Sequence, residues 1–262
     1  MMLLETKGLT RRYQGLVAVD GVDLAVPQGG VHAVIGPNGA GKTTLFNLIS
    51  GLVAPSEGTL RFAGEDVTKL PPYRRAALGL GRTFQNIRIF AEMSVLENVL
   101  TGLHATLQAG LPSILTRLGG FRAEERRAVA AAQAALALVG LASRAGQPAA
   151  SLSYGDQRRL EIARAMAGQP KLLLLDEPAA GMNPAETVAL AELVRRIAAG
   201  ATTVLLVEHD MGFVMSLSDH ITVLNFGRKI FEGPPAQVKR EPAVIEAYLG
   251  ARLAAKLHAD AS

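Results

Sequence analysis

The sequence predicts an α/β fold with a mostly parallel core sheet, on three observations: short apolar runs, a complete crossover joining two of them, and a long helical stretch set before that crossover. The runs Val31 to Ile35, Leu172 to Leu175 and Thr202 to Val207 are β-branched or leucine-rich, and each ends in a polar cluster. That is the pattern of strands buried on both faces. After the second run, Asn183-Pro184-Ala185-Glu186 offers an N-cap, a proline at the first helical position and a glutamate placed to close a capping box. Val188, Leu190, Leu193, Val194 and Ile197 continue as an apolar stripe, and Gly200 stops the helix before the third run.

Between about Asn86 and Ser151 alanine, leucine and arginine recur at helical spacing, which reads as a helical insertion. Ser94 and Glu97 can form a capping box ahead of Leu96, Val99, Leu100 and Leu103. Ala128 to Ala142 reads as a helix in water or against protein, and Gly110 to Gly120 as a loop-rich joint. Ile221 to Glu232, around Gly227, resembles a hairpin. Short helices are expected up to Gly250, and residues 251–262 read as a frayed tail.

Composition narrows the function classes. The strongly apolar runs are only about five residues long, against the roughly 20 that cross a bilayer, so no spanning segment is expected. Glu5 and Lys7 interrupt the start, where an export signal would need a longer apolar stretch. The absence of cysteine excludes disulfides and thiolate metal sites, and the five histidines have no paired ligand spacing. The net charge of +4 comes from scattered basic pairs, not one block, which favours a solvated surface over nucleic acid binding.

Residues 36–44 read GPNGAGKTT, matching G-x-x-x-x-G-K-[ST] between a strand and an amphipathic helix. In such a loop Gly36, Gly39 and Gly41 let the backbone turn successive N–H groups toward phosphate oxygens, with Pro37, Asn38 and Ala40 between them, and the helix adds its positive end. Lys42 reaches the β- and γ-phosphates, Thr43 closes the motif and is placed to ligate Mg²⁺, and Thr44 follows it as a further candidate for the nucleotide. Residues 171–178 read KLLLLDEP, a strand carrying two carboxylates at its C-terminal end, where ligands bind in open α/β sheets. Asp176 is the expected Mg²⁺ partner and Glu177 the candidate base for the attacking water. His209 follows the third strand and can reach the γ-phosphate from the same edge. Gln85, in RTFQN, can hold the water or Mg²⁺ through its amide. Alone, a glycine-rich turn, an Asp-Glu pair, a surface histidine or a loop glutamine would carry no chemistry; the combination does.

Residues 152–157, LSYGDQ, followed by RRLEIARAM, resemble the signature motif of ATP-binding cassette proteins. The order and spacing of the phosphate loop, Gln85, LLLLDEP, Ala180 to Asn183 and His209 are similar to that superfamily from about residue 5 to 250. The resemblance implies a P-loop NTPase of the ATP-binding cassette fold, with an N-terminal antiparallel β part, one ATPase domain over residues 1–250 and a helical subdomain inserted at about 87–158. It implies ATP and Mg²⁺ as ligands and a head-to-tail dimer, with itself or a related subunit. In that dimer Ser153, Tyr154, Gly155, Asp156 and Gln157 address ATP on the opposite subunit. The consensus glycine is Tyr154 here, and position 156 is aspartate. Tyr13 stands where the family places an adenine-stacking aromatic.

Within the superfamily, the phrases LVAVDGVDL, GRTFQNIRIFAEMSVLENV, LDEPAAGMNP and AYLG look like the ATPase subunit of Liv-type branched-chain amino acid importers. That likeness implies two membrane-spanning permease subunits, an extracytoplasmic binding protein that acts indirectly, and a peripheral position on the cytoplasmic face of the membrane. A lipopolysaccharide exporter ATPase shares much of the architecture, but Tyr154 and the insertion from Leu103 to Arg127 favour the importer. A soluble non-transport cassette usually carries two cassettes or a long coiled-coil insert.

Overall fold

The computed structural model describes residues 1–103 and 119–249. The expected joint over residues 110–120 and the tail over 251–262 fall largely or wholly outside them.

Two sheets face one another across an apolar core. The first is antiparallel, in the order β2-β1-β4-β5, formed by β1 (Met2–Tyr13), β2 (Leu16–Pro27), β4 (Glu57–Phe62) and β5 (Glu65–Asp66). The second runs β10-β9-β3-β8-β7-β6, from β3 (Val31–Ile35), β6 (Leu80–Arg82), β7 (Leu172–Asp176), β8 (Thr203–Val207), β9 (His220–Asn225) and β10 (Arg228–Gly233). Its strands are parallel except the edge strand β10, which returns from β9 as the expected hairpin. β3, β7 and β8 are buried at every position, because apolar side chains cover both faces of the sheet.

Those two faces have separate cores. One layer, including Leu45, Phe46, Ile49, Leu174 and Leu205, joins the sheets around helix α1 (Lys42–Ser50). The other, including Ile35, Leu160, Leu175, Leu193 and Leu206, lies beneath the remaining helices. These are α2 (Pro72–Ala77), α3 (Val95–Thr101), α4 (Gly119–Leu138), α5 (Tyr154–Met166), α6 (Pro184–Ala198), α7 (Met211–Leu217), α8 (Pro235–Val238) and α9 (residues 242–249), although α2 sits against the β6 edge.

The two expected capping boxes are present: Ser94 with Glu97 opens α3, and Asn183 with Glu186 opens α6 behind Pro184. Each satisfies backbone N–H groups that the first helical turn leaves free. Helix α4 begins at Gly119, inside the segment expected to be a joint, and ends at Leu138, four residues before the expected end. Gly140, with φ +77°, takes the left-handed turn that stops it. Helix α5 runs unbroken across residue 158, the expected end of the helical insertion, so the return to the sheet comes only after Met166.

Candidate active site

The carboxyl ends of β3, β7 and β8 lie side by side, since β8 pairs with both neighbours in parallel register. The phosphate loop leaves β3 at Gly36. A Cβ at Gly36 would lie 2.2 Å from the Leu224 carbonyl oxygen, and one at Gly41 2.3 Å from that of Ala18, with φ of +154° and +98°. Only glycine fits those two places. Gly41 caps α1, whose first turn holds no acidic residue, so its positive end is uncompensated.

Lys42 is buried, and its Nζ donates to the carbonyls of Gly36 at 2.7 Å and Pro37 at 3.0 Å. The ammonium therefore spans the loop from within. Burial lowers its pKa, while the charges of Glu177 and Asp176 oppose that shift. Pro37 is half-buried, Ala40 is buried, and Asn38, Gly39 and Thr43 are exposed beside Thr44. A lysine, a hydroxyl and backbone N–H groups at a helix start form a donor set suited to a polyphosphate and its cation.

Asp176 ends β7 and is 2 % exposed. Its Oδ2 accepts from the Arg82 guanidinium at 2.9 Å. Burial raises the carboxyl pKa, and Arg82 is the first group opposing that rise. Glu177, the next residue, has φ +47° and donates its N–H to the Val207 carbonyl at 2.9 Å. A non-glycine residue in this left-handed region is uncommon, and here it turns the glutamate out of the sheet. Glu177 Oε2 accepts from Gln85 Nε2 at 2.8 Å and lies 3.9 Å from His209 Nδ1. Gln85, Glu177 and His209 thus converge from three separate segments.

Arg82 and Glu208 are further site residues that the sequence reading did not single out. Glu208 is 1 % exposed and accepts from the Ala179 N–H at 2.8 Å and the His209 N–H at 3.1 Å, while burial raises its pKa. It fixes the loop after Glu177 against the histidine. The only sequence signal for it is its place before His209 at the end of an apolar strand.

Tyr13 ends β1, partly exposed, with the Arg11 guanidinium 4.4 Å above its ring. The guanidinium occupies one ring face as a cation–π contact.

The signature segment forms the start of α5. Ser153 is its N-cap and accepts from the Asp156 N–H at 3.2 Å. A Cβ at Gly155 would meet Glu186 Oε1 at 2.7 Å, so the capping glutamate of α6 sets the size limit there. Tyr154 donates its hydroxyl hydrogen to the Ala180 carbonyl at 3.0 Å, and its ring lies against Gly181. Asp156 pairs with Arg144 at 2.7 Å, and Gln157 donates to the Leu152 carbonyl at 3.1 Å. Among the described residues, no hydrogen bond or ion pair joins residues 153–157 to the phosphate loop.

A phosphate loop, a strand-end carboxylate pair and a histidine gathered on one sheet edge define a nucleotide-hydrolysing P-loop protein. The ABC transporter family model matches residues 19–180, and that of the branched-chain amino acid ATP-binding cassette transporter matches residues 228–254. The chain is 47% identical over 249 residues to the high-affinity branched-chain amino acid transport ATP-binding protein BraF of Pseudomonas aeruginosa, covering 95% of this chain and 98% of that protein. It is 46% identical to LivG of Escherichia coli K12 over the same shares. Among solved structures, MJ1267 in its ADP conformation, an ATP-binding cassette of an ABC transporter, superposes with a TM-score of 0.83 at 33% identity, covering 95% of this chain and 99% of that one. The chain belongs to the ABC transporter ATPase family, on its branched-chain amino acid branch, and is an ATPase.

Proposed function

We propose that this chain energises a membrane importer of branched-chain or related amino acids by hydrolysing ATP in a head-to-tail dimer, with itself or a related subunit. The observation that carries the catalytic part is the Gln85–Glu177 hydrogen bond, which brings an amide and a carboxylate to one point beside the phosphate loop. There Glu177 accepts a proton from the attacking water as its oxygen bonds the γ-phosphorus and the bond from that phosphorus to the β–γ bridging oxygen breaks, so that ADP and phosphate leave; Gln85 and His209 orient the water. Lys42 and the loop N–H groups hold the phosphates, and Tyr13 offers its ring to adenine. Thr43, Gln85 and Asp176 are the residues that would hold a magnesium ion, which would supply charge neutralisation to the phosphates.

Dimerisation follows from what one chain lacks. Among the described residues its signature segment makes no bond to its own phosphate loop, so Ser153 and Gly155, at a helix start, are placed to address ATP on an opposing chain. The dimer would sit on the cytoplasmic face of the membrane beside two permease subunits, with an extracytoplasmic binding protein acting only through them. No described helix is long and apolar enough to cross a membrane.

A groove of about 640 Å³ lined by Arg82, Phe84, Arg88, Phe90, Thr101 and Arg164 supports a permease contact next to Gln85. Its mixed apolar and basic lining suits a short amphipathic helix. Cysteines placed at Phe90 and on the permease cytoplasmic loops should crosslink in the assembled transporter. Crosslinks confined to residues 228–249 would refute this docking.

A further inference from the structure

We infer that Arg82 is a positioning residue for the magnesium-binding carboxylate, locking Asp176 to the far end of the phosphate-loop helix; this rests on the magnesium reading above. Arg82 ends the short edge strand β6, paired in register with Leu174 of β7. From there its side chain, 8% exposed, crosses beneath α1. One terminal nitrogen donates to Ser50 Oγ at 2.6 Å and to the Phe46 carbonyl at 3.2 Å, both on the last turns of α1. The other donates to Asp176 Oδ2 at 2.9 Å. The guanidinium thus ties together the two elements that must hold a cation between them: the helix whose first turn carries Thr43, and the strand end carrying Asp176.

Ser50 reinforces the link, since its hydroxyl donates to Phe46 at 2.9 Å while accepting from Arg82. The guanidinium is packed by aromatics, 5.1 Å from the ring centroid of Phe84, which lines the groove, and 6.0 Å from that of the core residue Phe46. Arg88 lies over Phe84 as well, at 4.5 Å. Arg82 Nε has no hydrogen-bond partner, so the charge is committed through its two terminal nitrogens. A planar fork suits this geometry: it can bridge a carboxylate and a helix end at once, which a single ammonium point charge cannot do with the same orientation. With Oδ2 held, the carboxylate's rotation is fixed before any cation arrives, so none of that ordering is left for the binding step.

The test is a magnesium titration of nucleotide binding to the whole chain, read by the fluorescence of a labelled non-hydrolysable ATP analogue, for the wild type, Arg82→Gln and Arg82→Lys. For Arg82→Gln the magnesium concentration at half-saturation should rise roughly tenfold, as for other outer partners of metal ligands, while affinity measured in a chelator stays unchanged. Arg82→Lys, which keeps the charge but not the fork, should lie between the two. A half-saturation point equal to the wild type in a folded variant overturns the inference. Should Arg82→Gln not fold, Arg82→Lys is decisive in the same way: a raised midpoint supports the inference and an unchanged one sinks it. A wild type with no magnesium dependence would sink the magnesium reading itself.

Discussion

Glu177 holds a left-handed φ of +47° in order to leave the sheet and meet Gln85, a cost the surrounding bonds to Val207 and Glu208 sustain. A second residue with an enforced state is His32, in the middle of the sheet. It is 2 % exposed, shares a 2.9 Å hydrogen bond with Thr222 Oγ1, and faces His220 at 5.1 Å between ring centroids. Burial, then the charge of His220, lower its pKa to about 4; Glu232 opposes this and Lys229 adds to it. The folded chain therefore keeps His32 neutral where the unfolded chain binds a proton near pH 6.5, so stability is lost as the pH falls from about 6.5 to about 4. The loss attributable to this residue is about 3 kcal/mol. Denaturant unfolding of wild type and His32→Asn at pH 7 and pH 4.5 should show the wild type losing more stability than the variant; equal losses would mean that His32 carries no such proton linkage. The loop, the carboxylate pair and His209 could be singled out from the sequence because each lies in a short motif at a strand end. Arg82, Glu208 and His32 could not, because their chemistry comes from partners as far as 190 positions away.

At the level of elements, capping chemistry was read correctly because it is local: Ser94 with Glu97 and Asn183 with Glu186 complete their boxes within four residues. The antiparallel sheet was accessible only through family resemblance. β1 and β2 pair with several register shifts around Gly8 and Gly21, which break the strict alternation that reveals a strand. Helix α5 has an internal brace that sequence spacing cannot reveal. Arg158 and Glu161, both with fully buried side chains, pair at 3.0 Å, and Arg158 also donates to the carbonyls of Phe84 and Gln85 at 2.8 Å each. Glu161 accepts from the Arg88 N–H at 3.1 Å. The signature helix thus holds the Gln85 segment by its backbone. Removing Arg158 takes the nearer guanidinium from the buried Glu161, which keeps Arg164 at 3.6 Å, and leaves the Phe84 and Gln85 carbonyls without that donor, so Arg158→Ala should cost about 3 kcal/mol. Hydrogen exchange should show residues 84–88 loosened in the same variant. A loss below about 1 kcal/mol would mean the brace is dispensable.

For the whole molecule, the parallel sheet gathers Lys42, Asp176, Glu177 and His209 on one edge, while the signature residues bond elsewhere, Tyr154 to Ala180 and Asp156 to Arg144. In the proposed dimer one chain would bring two unlike halves of a site, and ATP would join the half of one chain to the complementary half of another. The expectation of such a division comes from the family resemblance, not from composition or periodicity, since no single-chain pattern states which groups face a partner. Closure depends on ATP binding the paired state more tightly than the open one. Replacing the candidate base should therefore preserve the bound state that hydrolysis would otherwise dissolve. The most direct measurement is the solution mass of Glu177→Gln, by light scattering after gel filtration, with and without magnesium and ATP. A doubled mass in nucleotide and a single-chain mass in its absence is the expected result, with turnover abolished. A single-chain mass at saturating ATP, or hydrolysis at the wild-type rate, would contradict it.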